Sequence, residues 1–229
     1  MSTIRVLPDL GLRLGYLVFD DCTVDENNPA IGAAYAARIE TTRARFKDRP
    51  LAGDPTIQGV RKLFRALGVD PGRYRPSGEA LARRVLKGSF PPRVNSLVDI
   101  NNLCSLATLY PWGTYDWSRV NGDVVLRLGA PGECYQGIGK PVRIAGKPVS
   151  ADAAGAFGSP IADSARTRVT AATRSTLVLV YTPADTRPEV LDEALGHYAA
   201  LAIDEVGARQ LARGTLTAGQ VANIDARRT

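Results

Sequence analysis

The sequence is nearly without histidine: His197 is the only one in 229 residues. It falls in a late stretch of helical pattern and reads as an ordinary helix-surface residue. Any His-based catalytic triad or two-His metal site would have to use it. Cysteine is scarce too. Cys22, Cys104 and Cys134 are odd in number and widely scattered, with no paired metal-ligand spacing and no disulfide framework. None has a histidine or a strong cationic context nearby in sequence, so a thiolate nucleophile is not expected. Such usage predicts a reducing cytoplasm. No apolar run is long enough to span a membrane. The opening Met1-Ser2-Thr3-Ile4-Arg5 lacks the sections of a secretory signal. Gly129-Ala130-Pro131-Gly132 is glycine-rich, but its proline removes an amide donor and no Lys-Ser/Thr follows, which argues against a phosphate loop. Neither a metal nor a cofactor is expected.

What the chain does have is charge, unevenly placed. The formal net charge is +6. Residues 43–93 hold thirteen of the 29 basic residues and only four of the 23 acids, Asp48, Asp54, Asp70 and Glu79. That segment is +9 and the remainder −3. A basic half on a mildly acidic protein points to a polyanionic partner.

Hydrophobic spacing supplies the elements. Leu12 to Val24 reads as one or two strands. Pro29 to Lys47 reads as a helix. A second helix starts at Asp54, a good N-cap, with Pro55 in its first position. Ile57, Val60, Phe64 and Leu67 form its apolar face, and Gln58, Arg61, Lys62 and Arg65 the opposite one. A third starts at Ser77, ends near Gly88, and carries Arg83, Arg84 and Lys87 outward, with Glu79 in the first turn. Pro91-Pro92 breaks the chain, and Val94 to Tyr110 reads as a buried helix. Short strands follow at Val124–Leu128, Val142–Ala145, Pro148–Ala151 and Leu177–Tyr181. A C-terminal amphipathic helix is predicted over about 188–213, and a frayed tail over the last dozen residues. The order predicts an α+β fold.

Tyr74-Arg75-Pro76-Ser77-Gly78-Glu79-Ala80-Leu81-Ala82-Arg83-Arg84 leads into Val94-Asn95-Ser96-Leu97-Val98-Asp99-Ile100-Asn101-Asn102. Pro111, Tyr115-Asp116 and Gly132-Glu133 follow. Last comes Phe157-Gly158-Ser159-Pro160, Asp163-Ser164, Arg166-Thr167, Val169-Thr170 and Thr173. This succession, over roughly residues 40–182, resembles the B3/B4 tRNA-binding and editing domain of the phenylalanyl-tRNA synthetase β subunit. It is closer still to stand-alone proteins made of that domain. The resemblance implies one B3/B4-like domain over residues 1–229, built on a mixed β-sheet with flanking helices. It implies tRNA or aminoacyl-tRNA as partner, and hydrolysis of misacylated tRNA in trans. Two alternatives stay open: a non-catalytic RNA-binding module, or a small-molecule pocket protein derived from the editing domain. No synthetase core or anticodon reader is visible, so aminoacylation is not expected.

Four residues at three places depart from the synthetase pattern. Asn101 stands where it has threonine, Gly113 where it has histidine, and Leu179 and Tyr181 where a strand carries a tyrosine-sensing glutamate. They imply a substrate other than tyrosine.

Ester hydrolysis needs a positioned water, a side-chain pocket and donors for the developing oxyanion, not an obligatory triad. Asn102 offers one acceptor and two donors, either to a ligand or to helix-end backbone groups. Asp163 and Ser164 begin a dense polar cluster that runs on to Thr173. Asn102, Asp163, Ser164 and Thr173 are the catalytic candidates, and Asn101, Gly113 and Glu133 the substrate-binding ones. Asp99 reads as a cap or a partner of Arg93. Arg61, Lys62, Arg65, Arg83, Arg84 and Lys87 are predicted to form one positive surface for RNA phosphates. With His197 poorly placed, hydrolysis is expected to work without a protein general base, the vicinal ribose hydroxyl helping to orient the water. No inflection of the rate near neutral pH is then expected.

Overall fold

The computed structural model describes residues 2–89 and 92–224. Part of the predicted break at Pro91-Pro92, and the end of the predicted tail, lie outside them.

Two strands are apolar along nearly their whole length, β2 (Leu12–Asp20) and β9 (Thr176–Pro183). Such strands need cover on both faces. They pair antiparallel at the centre of a four-stranded sheet, ordered β10 (Arg209–Thr217), β2, β9, β3 (Trp112–Asp116). Leu17, Phe19, Val178 and Val180 face one side with Leu97, Ile100, Leu195 and Tyr198 from two helices. Leu14, Tyr16, Leu177, Leu179 and Tyr181 face the other, against Ile4, Val124, Leu126 and Phe157. The latter group belongs to a five-stranded mixed sheet ordered β11 (Val221–Asn223), β1 (Thr3–Val6), β4 (Val124–Leu128), β7 (Pro148–Asp152), β8 (Gly155–Gly158). Its β1–β4 pair is parallel and the rest antiparallel. A hairpin of β5 (Cys134–Gln136) and β6 (Pro141–Arg143) stands apart. This is an α+β fold.

Helices α1 (Pro29–Arg45), α2 (Pro55–Ala66), α3 (Ser77–Leu86) and α4 (Ser96–Thr108) share a second core through Tyr35, Ile39, Ile57, Ala82, Val85, Leu103 and Leu106. The predicted cap of α2 is present: Asp54 accepts from the Thr56 amide at 3.0 Å. Asn95 caps α4 by accepting from the Val98 amide at 3.0 Å. Asp99 accepts from Arg93 at 2.9 Å, which makes it the ion-pair partner, one of the two roles open to it from sequence.

The C-terminal region needs correction. Helix α5 (Pro188–Val206) stops well before 213, because Gly207 takes φ 63° and turns the chain out of the helix. Residues 209–217 then pair with β2 as β10. Part of the predicted tail is also a strand, β11, on the edge of β1. In both places an open sheet edge supplied partners that local spacing did not reveal.

Candidate functional site

Helix α4 runs past the end of the 161–170 loop. Val98, Asn101, Asn102 and Ser105 lie three and four residues apart and so share one face. Val98, Asn101 and Asn102 line a cleft of about 390 Å³ with Val94, Thr114, Ile138, Asp163, Arg168, Val169 and Thr170. Asn101, Asn102 and Ser105 line a second cavity of about 220 Å³ with Ser77, Leu81, Arg84, Trp112, Ile161 and Asp163. Asn101, Asn102 and Asp163 belong to both. They form a polar septum between two lobes.

Each septum residue is set by its neighbours. Thr114 donates to the Asn101 side-chain carbonyl at 3.0 Å and bonds the Tyr198 hydroxyl at 2.9 Å. With its oxygen engaged, Asn101 has an NH₂ left to offer the cleft. The Asn102 side chain forms no hydrogen bond among the described residues, so both its ends are open to a ligand. Asp163 is held by its loop. Ser164 bridges Gly137, its amide donates to the Phe157 carbonyl at 3.0 Å, and the Ala165 amide donates to the Gln136 carbonyl at 2.8 Å. Burial pushes the Asp163 carboxyl up to about 7, and the Tyr115 hydroxyl beside it draws it part of the way back. Tyr115 lies 3.3 Å from the Tyr181 hydroxyl, which reaches Ser150 at 2.9 Å. Burial raises both phenols above their ordinary value. Asp163 thus ends a buried polar chain that runs between the two sheets.

The other candidates lie elsewhere. Thr173 is buried and donates to Asp116 at 2.8 Å, while accepting from the Thr170 amide at 3.0 Å. It fixes the loop and does not line the cleft. Ser164 is buried and accepts from the Arg166 amide at 3.1 Å. Glu133 is clamped by both Arg127 nitrogens at 2.7 Å and caps the Ala130 amide, so its oxygens are engaged away from the cleft. Gly113 faces the opposite side of β3 from Thr114. A β-carbon there would collide with the Tyr115 hydroxyl, and Gly158 meets the same hydroxyl from across. That glycine makes room for a buried tyrosine and adds nothing to the pocket wall. Alternation along β3, once the strand is known, would have revealed this.

The basic residues also divide. Glu79 is 1% exposed and takes Arg61 through two bonds of 2.8 and 2.6 Å, Arg83 at 2.7 Å, and Arg75 at 3.7 Å. Burial raises its carboxyl, but the Arg61 and Arg83 hydrogen bonds outweigh this and leave it below the ordinary value. Arg61 and Arg83 are therefore committed to an internal ion pair. Lys62, Arg65, Arg84 and Lys87 are exposed and form no ion pair among the described residues.

His197 lies on α5 and lines two other surface hollows, one with Thr56, Cys104, Thr108 and Glu193 and one with Arg38 and Leu103. Neither contains Asn102. Burial pushes the Cys22 thiol up to about 11 and raises Cys104 further, so these two stay protonated. Among the described residues, no group of three or more His, Cys, Asp or Glu could hold a metal ion, and no helix is long and apolar enough to cross a membrane.

A helical layer beside a buried antiparallel sheet, with a cleft of amides and one carboxyl, defines a pocket-bearing α+β domain. Comparison with known proteins then gives its family. Residues 59–188 match the B3/4 domain; that is more than half of the chain, which belongs to the B3/4 domain family. Among solved structures it is similar to an N-terminal fragment of the phenylalanyl-tRNA synthetase beta-subunit from Pyrococcus horikoshii. Identity is 14%, coverage 90% of this chain and 50% of that one, and the TM-score 0.47. The chain thus spans about half the length of that fragment. No curated protein matches it.

Proposed function

We propose that the protein binds aminoacyl-tRNA and hydrolyses misattached amino acids in trans, with the two-lobed cleft as its active site. The observation that carries this reading is the septum. A half-buried carboxyl with its proton affinity raised to about 7 lines the same cleft as two asparagine amides, in a B3/4-domain protein.

The chemistry follows from those groups. The ionised Asp163 takes a proton from a water as that water attacks the ester carbonyl. The NH₂ groups of Asn101 and Asn102 are donors for the oxyanion that develops. On collapse the acyl–oxygen bond breaks, and Asp163 returns the proton to the departing ribose oxygen. A base with this proton affinity suits neutral pH. The reading replaces hydrolysis without a protein base, because the cleft supplies an acid whose environment the sequence did not disclose. The vicinal ribose hydroxyl keeps its part in orienting the water.

The test is single-turnover deacylation across a panel of mischarged tRNAs. At least one is expected to be cleared faster than its spontaneous hydrolysis. Asp163→Asn is expected to abolish the gain, and His197→Ala to leave it unchanged. A uniformly inert panel with tRNA binding intact selects the non-catalytic RNA-binding reading instead.

A further inference from the structure

The two lobes differ in chemistry. The larger one is walled by Val94, Val98, Ile138 and Val169. Val94 is 51% exposed and Ile138 65%, and they are two of the four large exposed hydrophobics among the described residues. Ile138 is held over the cleft by the turn of the β5–β6 hairpin, which is tied to the 161–165 loop through the Ala165 amide. Aliphatic side chains left open on a cavity lip mark a place for an apolar group.

The smaller lobe lacks such a rim. Arg84 stands at its edge, exposed and outside the Glu79 ion-pair cluster. The Ser77 hydroxyl is buried and has no hydrogen-bond partner among the described residues. A buried hydroxyl without a partner is destabilising, a cost that a ligand acceptor removes. Ser77 opens α3, and Pro76 at the cap position has no side chain to offer the first-turn amides. Just beyond stand Arg61, Arg75 and Arg83, three guanidiniums sharing the single Glu79 carboxylate. The unfilled hydroxyl and the surplus positive charge about Glu79 lie with Arg84 on this side of the septum; the larger lobe also carries an exposed cation, Arg168, but sets it against an aliphatic wall.

We propose that the Ser77–Arg84 lobe is an anion subsite that takes the phosphate-bearing terminal nucleotide of the substrate, while the acyl side chain occupies the Val98–Val169 lobe. This rests on the reading of the substrate as an aminoacyl ester of tRNA. It places the scissile bond at the septum, between Asn101, Asn102 and Asp163. It also sends the RNA out over α3 and its exposed Arg84 and Lys87. The acyl lobe, with Val94, Val98, Ile138 and Val169 on its wall, selects an apolar side chain.

Titration of the full chain with adenosine 5′-monophosphate, read by calorimetry, tests the assignment. Inorganic phosphate and a non-hydrolysable 3′-aminoacylamido adenosine 5′-monophosphate serve as companion probes. Arg84→Ala is expected to weaken the nucleotide about tenfold, and Ser77→Ala severalfold with stability unchanged or raised. Val98→Trp is expected to leave the nucleotide unaffected and weaken the aminoacylamido compound at least tenfold. Nucleotide binding indifferent to Arg84 and Ser77, or sensitive instead to Val98→Trp, overturns the subsite. Inorganic phosphate binding as tightly as the nucleotide assigns the lobe to free phosphate and overturns it as well. The two readings fail separately. An inert deacylation panel with Arg84-dependent nucleotide binding removes the hydrolase alone. Active deacylation indifferent to Arg84→Ala removes the subsite alone.

Discussion

Asp163 sits where the 161–170 loop meets α4, with Tyr115 beneath it and Arg84 and Arg168 lining the two lobes it separates. If it is the base, kcat/KM rises with pH through about 7 and levels above. The Asp163→Asn profile is flat and lower by on the order of 10²–10⁴. Stability moves the other way. A carboxyl whose folded value lies above its unfolded one stabilises the fold at low pH, and that contribution is lost as pH rises from about 4 to about 7. Asp163→Asn is therefore expected to melt higher than the parent at pH 8, with the difference closing toward pH 4. A parent less stable at pH 5 than at pH 8 relative to this variant contradicts the assignment.

Beyond their shared apolar core, helices α2 and α3 are tied by one buried acid. Glu79 was placed by sequence in a first turn, where any acid is favoured. The fold buries it and closes Arg61 and Arg83 over it. Removing the carboxylate leaves three arginines facing one another, and Glu79→Ala is expected to cost about 3–5 kcal/mol. Arg61→Ala costs less, about 1.5–3 kcal/mol, since Arg83 still pairs the acid. The Glu79 carboxyl is held below its ordinary value. Its contribution is therefore present above about pH 4.5 and is lost as pH falls through the folded value. Urea melts at pH 7 and pH 3 read this directly: the penalty of Glu79→Gln shrinks at the acid end. The same element scale shows where spacing misleads. Leu211 and Ala212 continue the helical pattern of α5, but Gly207 ends the helix and the free edge of β2 takes the segment as strand.

For the molecule as a whole, the excess positive charge of residues 43–93 settles onto neighbouring helices around buried acids. Asp54 takes Arg45 at 2.7 Å and Arg49 at 3.8 Å, and Glu79 takes three more. Lys62, Arg65 and Lys87 remain as exposed cations. The triple variant Lys62→Ala/Arg65→Ala/Lys87→Ala is expected to weaken all tRNAs alike, since phosphate contacts carry no sequence information. The slope of log affinity against log salt should flatten by about 2–3, because each lost phosphate contact leaves its counterion unreleased. An unchanged slope in filter binding at several salt concentrations would reject this surface as the docking face.

Legible in the sequence alone were the α+β class, the ends of α1, α3 and α4 to within two residues, the start of α2 with its Asp54 cap, and a pairing with Arg93 as one of two roles open to Asp99. These are local facts, written in spacings of three to five residues and in the chemistry of helix ends. The sequence also placed Asn101, Asn102 and Asp163 among the candidates. Which candidates share a cavity was set only on folding, because that depends on residues some sixty positions apart meeting across α4 and a loop. Folding moved Thr173 and Glu133 into structural bonds and turned Gly113 to the far side of β3. It converted Arg61 and Arg83 from surface charges into the lining of a buried ion pair. Proton affinity is likewise non-local. The carboxyl of Asp163 is raised by the burial that folding imposes on it and drawn part of the way back by the Tyr115 hydroxyl, and no short window of sequence contains both.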